Sequence, residues 1–420
     1  MKAKKFGIIA LVLAIVLLIA PISESGAEEE PEIKISGDYE YYILDDGTAC
    51  IKTYNGEDEK VIIPEKLEEI RVTCIGVGAF VWCTNLTEVK IPESVQSIGV
   101  GAFSLCKNLT EITIPESVQS IGDRAFFGCD NLREIKIPDS VEKIGANPFD
   151  SCTNLLNINI SADHPTLAFI DNALFYKPEK KIVSYLCASI ESKYEIPDGI
   201  KIIGDSAFSV CKNLTEIKIP DSVKSIGDRA FSWCENLEKI NISNSVENIG
   251  VNLFIGCDNL LYINISADHP TLEFVHNVLI YKPEKKIVSY LCASKESKYE
   301  ILNGIKIIGE WAFCDCYNIT EIKIPDGVKS IGDWAFSSCG NLTEIKIPDS
   351  VQSIGNYTFA FCTSLIEINI PDNINSIGDL AFKDCNNLTA TVARDSYAEK
   401  YCKENNIKYM YEDSLDWLKN

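Results

Sequence analysis

The chain has 420 residues, of which 46% are hydrophobic, and it carries a formal net charge of −22 at pH 7. Nucleic acid is bound through basic patches, so this acidic balance argues against nucleic acid, and equally against anionic membranes, as direct ligands. Such a charge is typical of a surface that keeps a protein soluble, and the apolar content is sufficient for a continuous core. We therefore expect no nucleic-acid partner.

The N-terminus carries the pattern of an export signal. Three lysines among the first five residues precede an apolar run from Phe6 to Ala20, and small residues at 25–27 lie before a run of Glu. An uncleaved N-terminal membrane anchor is the alternative, but a span needs about 20 apolar residues and this run is shorter. The pattern predicts a signal peptide over residues 1–27, a secreted or cell-surface location, and no membrane span after cleavage.

A 23-residue unit recurs along nearly the whole chain. In each copy a Gly follows an Ile, a Phe stands four residues after the Gly, and a Cys stands three residues after the Phe. The Phe occurs eleven times, at positions 80, 103, 126, 149, 208, 231, 254, 313, 336, 359 and 382. A fixed period of this length indicates a solenoid, because each unit buries its apolar face only by stacking on its neighbours. Such an extended stacked surface indicates a binding protein rather than an enzyme.

The segment Leu132–Pro138 predicts how one coil folds. Ile135 and Ile137 alternate with charged residues, which indicates a short parallel strand with one buried face, and the closing Pro ends it. A second extended piece follows, and the repeat Gly after it fits either a turn with positive φ or a close backbone approach. We expect the Phe to pack inward in a short helical turn, after which the Cys closes the coil.

Eleven of the seventeen cysteines occupy one repeat position, at 83, 106, 129, 152, 211, 234, 257, 316, 339, 362 and 385. Stacked side chains point the same way, so their Cβ atoms stay about 4.8 Å apart, wider than the ~3.8 Å of a relaxed disulfide. We interpret the column as buried free thiols acting as small hydrophobes, with bridges as the alternative. Cys50 and Cys74 lie outside the column and are candidates to bridge an N-terminal cap.

An Asn stands two residues after the Cys in ten of the eleven repeats, at 85, 108, 131, 154, 213, 236, 259, 318, 341 and 387. We predict an inward-facing column whose side chains form hydrogen bonds with the turn backbone of adjacent coils. Several of these Asn also lie in glycosylation sequons, such as Asn108-Leu109-Thr110, and glycosylation is the alternative.

Two inserts interrupt the period, and they are near copies of each other. The segments Ile160–Gly204 and Ile265–Gly309 differ at eight of 45 positions, which indicates late duplication of a 105-residue block. In each insert two apolar runs flank Lys-Pro-Glu-Lys-Lys, a pattern that predicts a β-hairpin followed by one coil.

The two ends of the chain carry patterns of their own. Near the N-terminus an Asp-Gly turn predicts a β cap, and near the C-terminus Ser396 is a candidate N-cap of a closing helix. The predicted organisation is an N-terminal β cap over 28–74, a solenoid over 75–391 with inserts at about 161–202 and 266–307, and a C-terminal cap over 392–420.

The repeated motif Ile-Pro-x-x-Val-x-x-Ile-Gly-x-x-Ala-Phe-x-x-Cys-x-x-Leu-x-x-Ile-x-Ile-Pro resembles that of the BspA-like leucine-rich repeat family of bacterial and protist surface proteins. Its copies cover about three quarters of the chain. The resemblance implies a β-rich leucine-rich-repeat solenoid with one parallel strand per coil. It also implies a secreted or surface-attached protein that binds host matrix proteins, other cells or other microbes. No set of family binding residues transfers to this sequence.

The sequence offers neither a catalytic constellation nor a Gly-rich phosphate loop. Two of its three histidines, His164 and His269, occupy the same place in the two inserts, in an Asp-His-Pro segment that we interpret as a turn; the third is His276. Asp residues after the repeat Gly form an acidic column, for which solvation is the interpretation we favour and a calcium-binding edge the alternative. We expect no enzymatic activity, no cofactor and no bound metal.

The candidate partner-binding residues are aromatic residues of two kinds. The first kind departs from the repeat consensus and comprises Trp82, Trp233, Trp311 and Trp334. The second kind belongs to the predicted hairpins and comprises Tyr176, Tyr185, Tyr281 and Tyr290. Exposed Trp is enriched in binding hot spots, and packing of each Trp against its own coil is the alternative. We predict protein–protein interaction, with adhesion to host matrix, cells or other microbes as the role. The alternatives are an envelope scaffold without a foreign ligand and, more distantly, an enzyme; the oligomeric state stays open.

Overall fold

The computed structural model describes residues 31–412. They belong to two compact units: the chain up to residue 190 together with 202–211, and residues 191–201 together with the chain from 212 onward. Both units are built from successive β coils, so the fold is the predicted β-rich leucine-rich-repeat solenoid. The predicted signal peptide lies outside the described residues. Within 31–412 there is no helix long and apolar enough to cross a membrane.

One wall of each unit, which we call the long-strand face, is made of strands of three or four residues. In the first unit these are Lys60–Ile62, Glu88–Lys90, Glu111–Thr113, Glu134–Lys136 and Asn157–Asn159. In the second unit they are Lys193–Glu195, Glu216–Lys218, Lys239–Ile242, Tyr262–Ile265, Lys298–Glu300, Glu321–Lys323, Glu344–Lys346, Glu367–Asn369, Thr389–Val392 and Lys408–Tyr411. Paired neighbours are parallel, with equivalent repeat positions side by side, as in Ile135 opposite Ile158. As predicted, the central Ile is buried and its flanking residues face solvent.

The opposite wall, the short-strand face, is made of strands of two residues. In the first unit these are Ser97–Ile98, Ser120–Ile121, Lys143–Ile144 and Ile202–Ile203. In the second unit they are Ser225–Ile226, Asn248–Ile249, Ile307–Ile308, Ser330–Ile331, Ser353–Ile354 and Ser376–Ile377. They pair in parallel one repeat apart, as Ile121 does with Ile98 and Ile144.

Phenylalanines stack between the two walls. In the first unit the ring centroids of Phe80 and Phe103 are 5.0 Å apart, and those of Phe103 and Phe126 are 5.6 Å apart. In the second unit Phe313 and Phe336 stack at 5.2 Å. All five rings are fully buried, so the predicted inward Phe column is confirmed.

The cysteine column extends this core through a regular hydrogen bond. The thiol of Cys106 donates to the carbonyl oxygen of Phe80 at 3.1 Å. The same bond to the Phe one coil earlier is made by Cys129, Cys152, Cys257, Cys339, Cys362 and Cys385. Burial raises the pKa of the Cys106 thiol, which keeps it protonated and able to donate. For these residues the thiol interpretation is confirmed, and a hydrogen-bond donor adds to their role as small hydrophobes.

Two disulfides are present in the described chain. The Cys50–Cys74 bridge confirms the prediction for the N-terminal cap. Cys316 is bonded to Cys292, so the interpretation of the whole column as free thiols is wrong at this position. Cys292 lies outside the column, and the argument from parallel side chains within one column therefore does not apply to this pair.

The asparagine column forms the predicted ladder, but it faces outward. Nδ2 of Asn108 donates to the carbonyl oxygen of Thr84 at 2.7 Å, and Asn341 makes the same bond to Tyr317 at 2.7 Å. Elsewhere the ladder links side chains, as where Asn131 donates to Oδ1 of Asn108 at 3.2 Å. The prediction of inward Asn is wrong, because these side chains lie at the solvent-facing turn after the Cys.

The corner that carries the Phe is shaped by one close approach and two left-handed positions. A Cβ at Gly99 would stand 2.7 Å from the carbonyl carbon of Gly76, so the repeat Gly is required by close approach. The residue two after each repeat Gly has positive φ, and we call this set the first left-handed column: Gly78, Gly101, Arg124, Asn147, Ser206, Arg229, Asn252, Trp311, Trp334, Tyr357 and Leu380. The residue two after each Phe also has positive φ and forms the second left-handed column: Trp82, Leu105, Gly128, Ser151, Val210, Trp233, Gly256, Asp315, Ser338, Phe361 and Asp384.

Each insert contains the predicted hairpin and one further strand. In the first insert the strands are Leu167–Ile170, Ala173–Tyr176 and Lys181–Tyr185, joined in antiparallel order. The last of them pairs in parallel with Ile202–Ile203, so it belongs to the short-strand face. The second insert repeats this arrangement with Leu272–Val275, Val278–Tyr281 and Lys286–Tyr290.

Both ends have the predicted caps. The N-terminal cap contains the strands Lys34–Ser36, Tyr39–Ile43, Ala49–Tyr54, Lys66–Leu67 and Ile70–Ile75. The last of these continues in parallel into the short-strand face through Ile75 and Ile98. At the other end the helix Tyr397–Glu404 begins at Ser396, whose Oγ accepts from the backbone N–H of Glu399 at 3.1 Å.

Candidate partner-binding surface

Two of the eight predicted residues belong to the core. Tyr185 and Tyr290 are only 2% and 3% exposed. Their rings lie 5.4 Å from Phe208 and 5.0 Å from Phe313, so each Tyr takes the place of the repeat Phe in the coil formed by its insert. Neither ring offers surface to a partner.

Tyr176 and Tyr281 end the second strand of each insert and are half-buried. Tyr176 packs against the core of the first unit. The next residue in each copy, Lys177 or Lys282, donates to the carbonyl oxygen of the insert histidine, which fastens this strand to the coil. These two tyrosines are therefore fixed in place and only partly accessible.

Trp82 and Trp233 lie in the second left-handed column, where a large side chain covers the coil that follows. A Cβ at Gly256 would stand 2.7 Å from Cδ2 of Trp233, so the indole lies directly over that glycine. Leu105 covers Gly128 in the same way, with its Cδ2 2.8 Å from the Cβ position. Trp233 nevertheless remains 46% exposed, whereas Trp82 is half-buried.

Trp311 and Trp334 lie in the first left-handed column, and the structure brings them together. Their ring centroids are 4.8 Å apart with an interplanar angle of 4°, and Tyr357 continues the stack 4.2 Å beyond Trp334 at 6°. The guanidinium of Arg229 lies 5.1 Å from the Trp311 ring, and the Lys383 amine lies 6.0 Å from the Tyr357 ring. We call these five residues the aromatic row.

The row is held in place by the backbone beneath it. Trp311 donates its backbone N–H to the carbonyl oxygen of Asp333 at 2.9 Å, and Trp334 does the same to Asn356 at 2.9 Å. Stacked aromatic pairs contribute about 0.5–1.5 kcal/mol each beyond burial, and an exposed cation–π contact about 0.5–1 kcal/mol. Side chains ordered in this way lose little further entropy when a partner binds.

Sequence reasoning missed Arg229, Tyr357 and Lys383. The signal lay in the repeat itself, because Trp, Trp and Tyr occupy one repeat position in three consecutive coils and 23-residue spacing places them side by side. Positive φ was not apparent from these residue types. Bulky side chains are uncommon in the left-handed region.

The duplicated block provides an internal comparison for the row. Ser206 stands 105 residues before Trp311 and accepts from Arg124 at 2.9 Å. Arg124 also pairs with the buried carboxylate of Asp150 at 3.3 Å, whereas the equivalent Arg229 lies over an indole. The same corner is thus polar in one copy and aromatic in the other.

Most of the long-strand face carries mutually compensated charges. Lys193 pairs with Glu216 at 2.9 Å and Lys298 with Glu321 at 2.5 Å, with the lysines largely exposed. Exposed pairs of this kind contribute about 0–1 kcal/mol each. This face is a regular and nearly neutral surface, in contrast to the aromatic row.

The predicted Asp-His-Pro turn is confirmed, and its histidine ring is fully engaged. His164 is fully buried; its Nε2 donates to the Pro138 carbonyl oxygen at 3.0 Å and its Nδ1 accepts from the Leu167 N–H at 3.1 Å. In the acidic column Oδ1 of Asp123 accepts from the backbone N–H of Ala146 at 2.7 Å. Across residues 31–412, no cluster of three or more His, Cys, Asp or Glu is placed to hold a metal ion.

Comparison with known proteins identifies the repeat. The family described as BspA type leucine rich repeat region matches in six copies, over residues 73–192, 180–274 and 285–407. A leucine rich cell surface protein from Faecalibacterium prausnitzii is 28% identical, with 92% of this chain and 96% of that chain covered and a TM-score of 0.51. A leucine-rich repeat protein from Bacteroides ovatus is 26% identical, with 92% and 99% covered and a TM-score of 0.35. No curated protein matches the chain.

Proposed function

Because the chain belongs to the BspA-type leucine-rich repeat family, we propose that it is a secreted or surface-exposed protein that binds other proteins and mediates adhesion to host matrix, host cells or other microbes. The similar protein from Faecalibacterium prausnitzii is described as a cell surface protein, which supports the location. The pattern of residues 1–27 supports export through a cleaved signal peptide. The fold and family are typical of binding scaffolds rather than of enzymes.

The observation that carries the binding role is the aromatic row. Trp, Tyr and Arg are the residue types most enriched in protein-binding hot spots, and here two Trp, one Tyr and one Arg are stacked in one line with a Lys at its end. The line is ordered before any partner arrives. The Arg and the Lys at its two ends add positive charge to a chain whose net charge is −22.

A structural role in the cell's own envelope is the second candidate. The compensated Glu–Lys pairs of the long-strand face favour it, because such a regular surface is suited to scaffolding. In that case the aromatic row would serve packing within the protein alone.

The experiment is a binding assay of purified residues 28–420 against matrix proteins, mucins and intact cells at physiological salt. Adhesion predicts saturable binding to at least one component, retained for the most part when salt is raised, because contacts to aromatic rings are screened less than surface ion pairs. Absence of saturable binding across the panel would contradict adhesion and favour the envelope scaffold.

A further inference from the structure

The long-strand face of the second unit carries fewer charges just before the second insert, where Lys239 is the charged outward residue that remains on these two strands. The outward positions that hold Glu and Lys in most coils are occupied by Asn241 on one strand and by Tyr262 and Asn264 on the next. Beyond these strands the turn residues are Ser243 and Asn244 in place of the usual Pro and Asp. An open groove of about 580 Å³ lies along this turn, a size that suits a small ligand.

The groove presents amides and hydroxyls with unused hydrogen-bonding capacity. Nδ2 of Asn264 donates to Oδ1 of Asn241 at 2.7 Å. Within the part of the chain that the structure describes, the Asn241 amide nitrogen and the Asn264 carbonyl oxygen have no protein partner. A donor and an acceptor therefore stand side by side on adjacent strands, about 4.8 Å apart.

The two charged residues of the groove are already engaged. Asp221 accepts from the Ser243 hydroxyl at 2.6 Å, and Lys218 forms an ion pair with Glu195. A charged ligand would have to displace these contacts or compete with them. A neutral ligand needs neither.

An aromatic ring stands beside the groove, on the strand that carries Asn264 but outside the residues that line the groove. Tyr262 is 57% exposed and lies two residues before Asn264 on the same strand, so both side chains leave the same face. Phe274 contacts the ring edge-on, with centroids 5.6 Å apart at 82°. This contact orients the Tyr ring while most of its surface stays accessible.

We propose that this groove binds a neutral oligosaccharide. Vicinal hydroxyls both donate and accept, and they match a paired amide nitrogen and carbonyl oxygen. The apolar face of a pyranose ring stacks on an exposed aromatic ring such as Tyr262. The groove and the aromatic row have no residue in common, so this proposal does not depend on the binding of a protein partner.

The first copy of the duplicated block supplies a natural comparison. Lys136, Pro138, Asp139 and Asn157 stand where the second copy has Asn241, Ser243, Asn244 and Tyr262. Lys136 is charged and pairs with Glu116 at 3.4 Å. The two copies share a strand register and a core but differ in the side chains that would contact a sugar.

The test is isothermal titration of residues 28–420 with cello-, laminari-, manno- and xylohexaose, and with hexagalacturonate as the charged probe. The variant N241K/S243P/N244D/Y262N installs the residues of the first copy, which folds with them, and Y262A alone serves if that variant is unstable. We expect at least one neutral hexasaccharide to bind and the variant to weaken it by about tenfold or more. The W311S/W334R/Y357N variant of the aromatic row should bind it unchanged.

Three outcomes would overturn the proposal. The first is that no neutral hexasaccharide gives a heat of binding at millimolar concentration. The second is that the groove variant binds the sugar with the same affinity as the parent chain, and the third is that hexagalacturonate is the only sugar that binds. A chain that binds matrix proteins but none of the sugars would keep the adhesion role while rejecting the groove.

Discussion

His269 fastens its insert to the coil through one fully buried ring. Its Nε2 donates to the Ser243 carbonyl oxygen at 3.1 Å, and its Nδ1 accepts from the backbone N–H groups of Thr271 and Leu272 at 3.2 and 3.0 Å. Burial lowers the pKa of His269, so the folded protein holds the neutral ring. If Nδ1 were protonated, it would become a donor that faces two backbone N–H donors, and both hydrogen bonds would be lost.

The pH dependence of stability follows from this lowered pKa. The unfolded chain takes up a proton near the ordinary value of about 6.5, so the stabilising contribution of His269 is complete above that pH and declines as the pH falls below it. Urea unfolding at pH 8 and pH 5.5 should therefore show a smaller loss of stability in H269Q, whose amide still donates and accepts, than in the parent chain. An identical loss in both proteins would contradict the role assigned to His269.

Most of the residue-level core could be predicted, because the period itself reports which side chains stack. The inward Phe and the buried thiols followed from recurrence at one position. The direction of the Asn column did not, since a side chain after the Cys can satisfy the turn backbone from inside or outside the coil. Tyr185 was misplaced because its apolar run was assigned to a projecting hairpin, whereas the strand lines the core.

At the scale of the coil, the repeat Gly sets the spacing between neighbouring corners. The Cβ position of Gly99 lies 2.7 Å from backbone atoms of Gly76, and backbone cannot move aside as a flexible side chain can. We predict that G99A costs roughly 2–3 kcal/mol of stability. In urea unfolding the control G37A should cost about 1 kcal/mol, because Gly37 has a φ of 58° but nothing within 4 Å of its Cβ position. Equal costs would contradict the close-approach argument.

The sequence pattern predicted which elements make up a coil, but it did not predict the two columns of residues with positive φ. Alternating Ile and charged residues predicted the long strands, and the hairpin pattern predicted two of the three insert strands. Positive φ at Arg124, Trp311 and Tyr357 carries no composition signal, because the position tolerates Gly, polar and aromatic residues alike. The aromatic row therefore emerges only when the coils are stacked.

Across the whole molecule, the duplicated blocks keep their core and diverge at their surface. Ser206 and Trp311, like Asn157 and Tyr262, are equivalent positions where the second copy has gained an aromatic side chain. Both changes lie outside the Phe and Cys columns, so they leave the stacking intact. This pattern supports a division between a repeated scaffold and a few positions adapted to binding.

The central claim is that the aromatic row binds a protein partner, and an affinity comparison tests it most directly. The variant W311S/W334R/Y357N replaces each aromatic residue of the row with the residue that stands 105 positions earlier in the chain, Ser206, Arg229 and Asn252 respectively. W233G is the control, since it removes an exposed Trp at a site where the equivalent residue is Gly128. Binding to the panel of matrix proteins, mucins and cells should weaken by about tenfold or more in the triple variant and stay within about twofold in the control. Unchanged affinity in a folded triple variant would contradict the account.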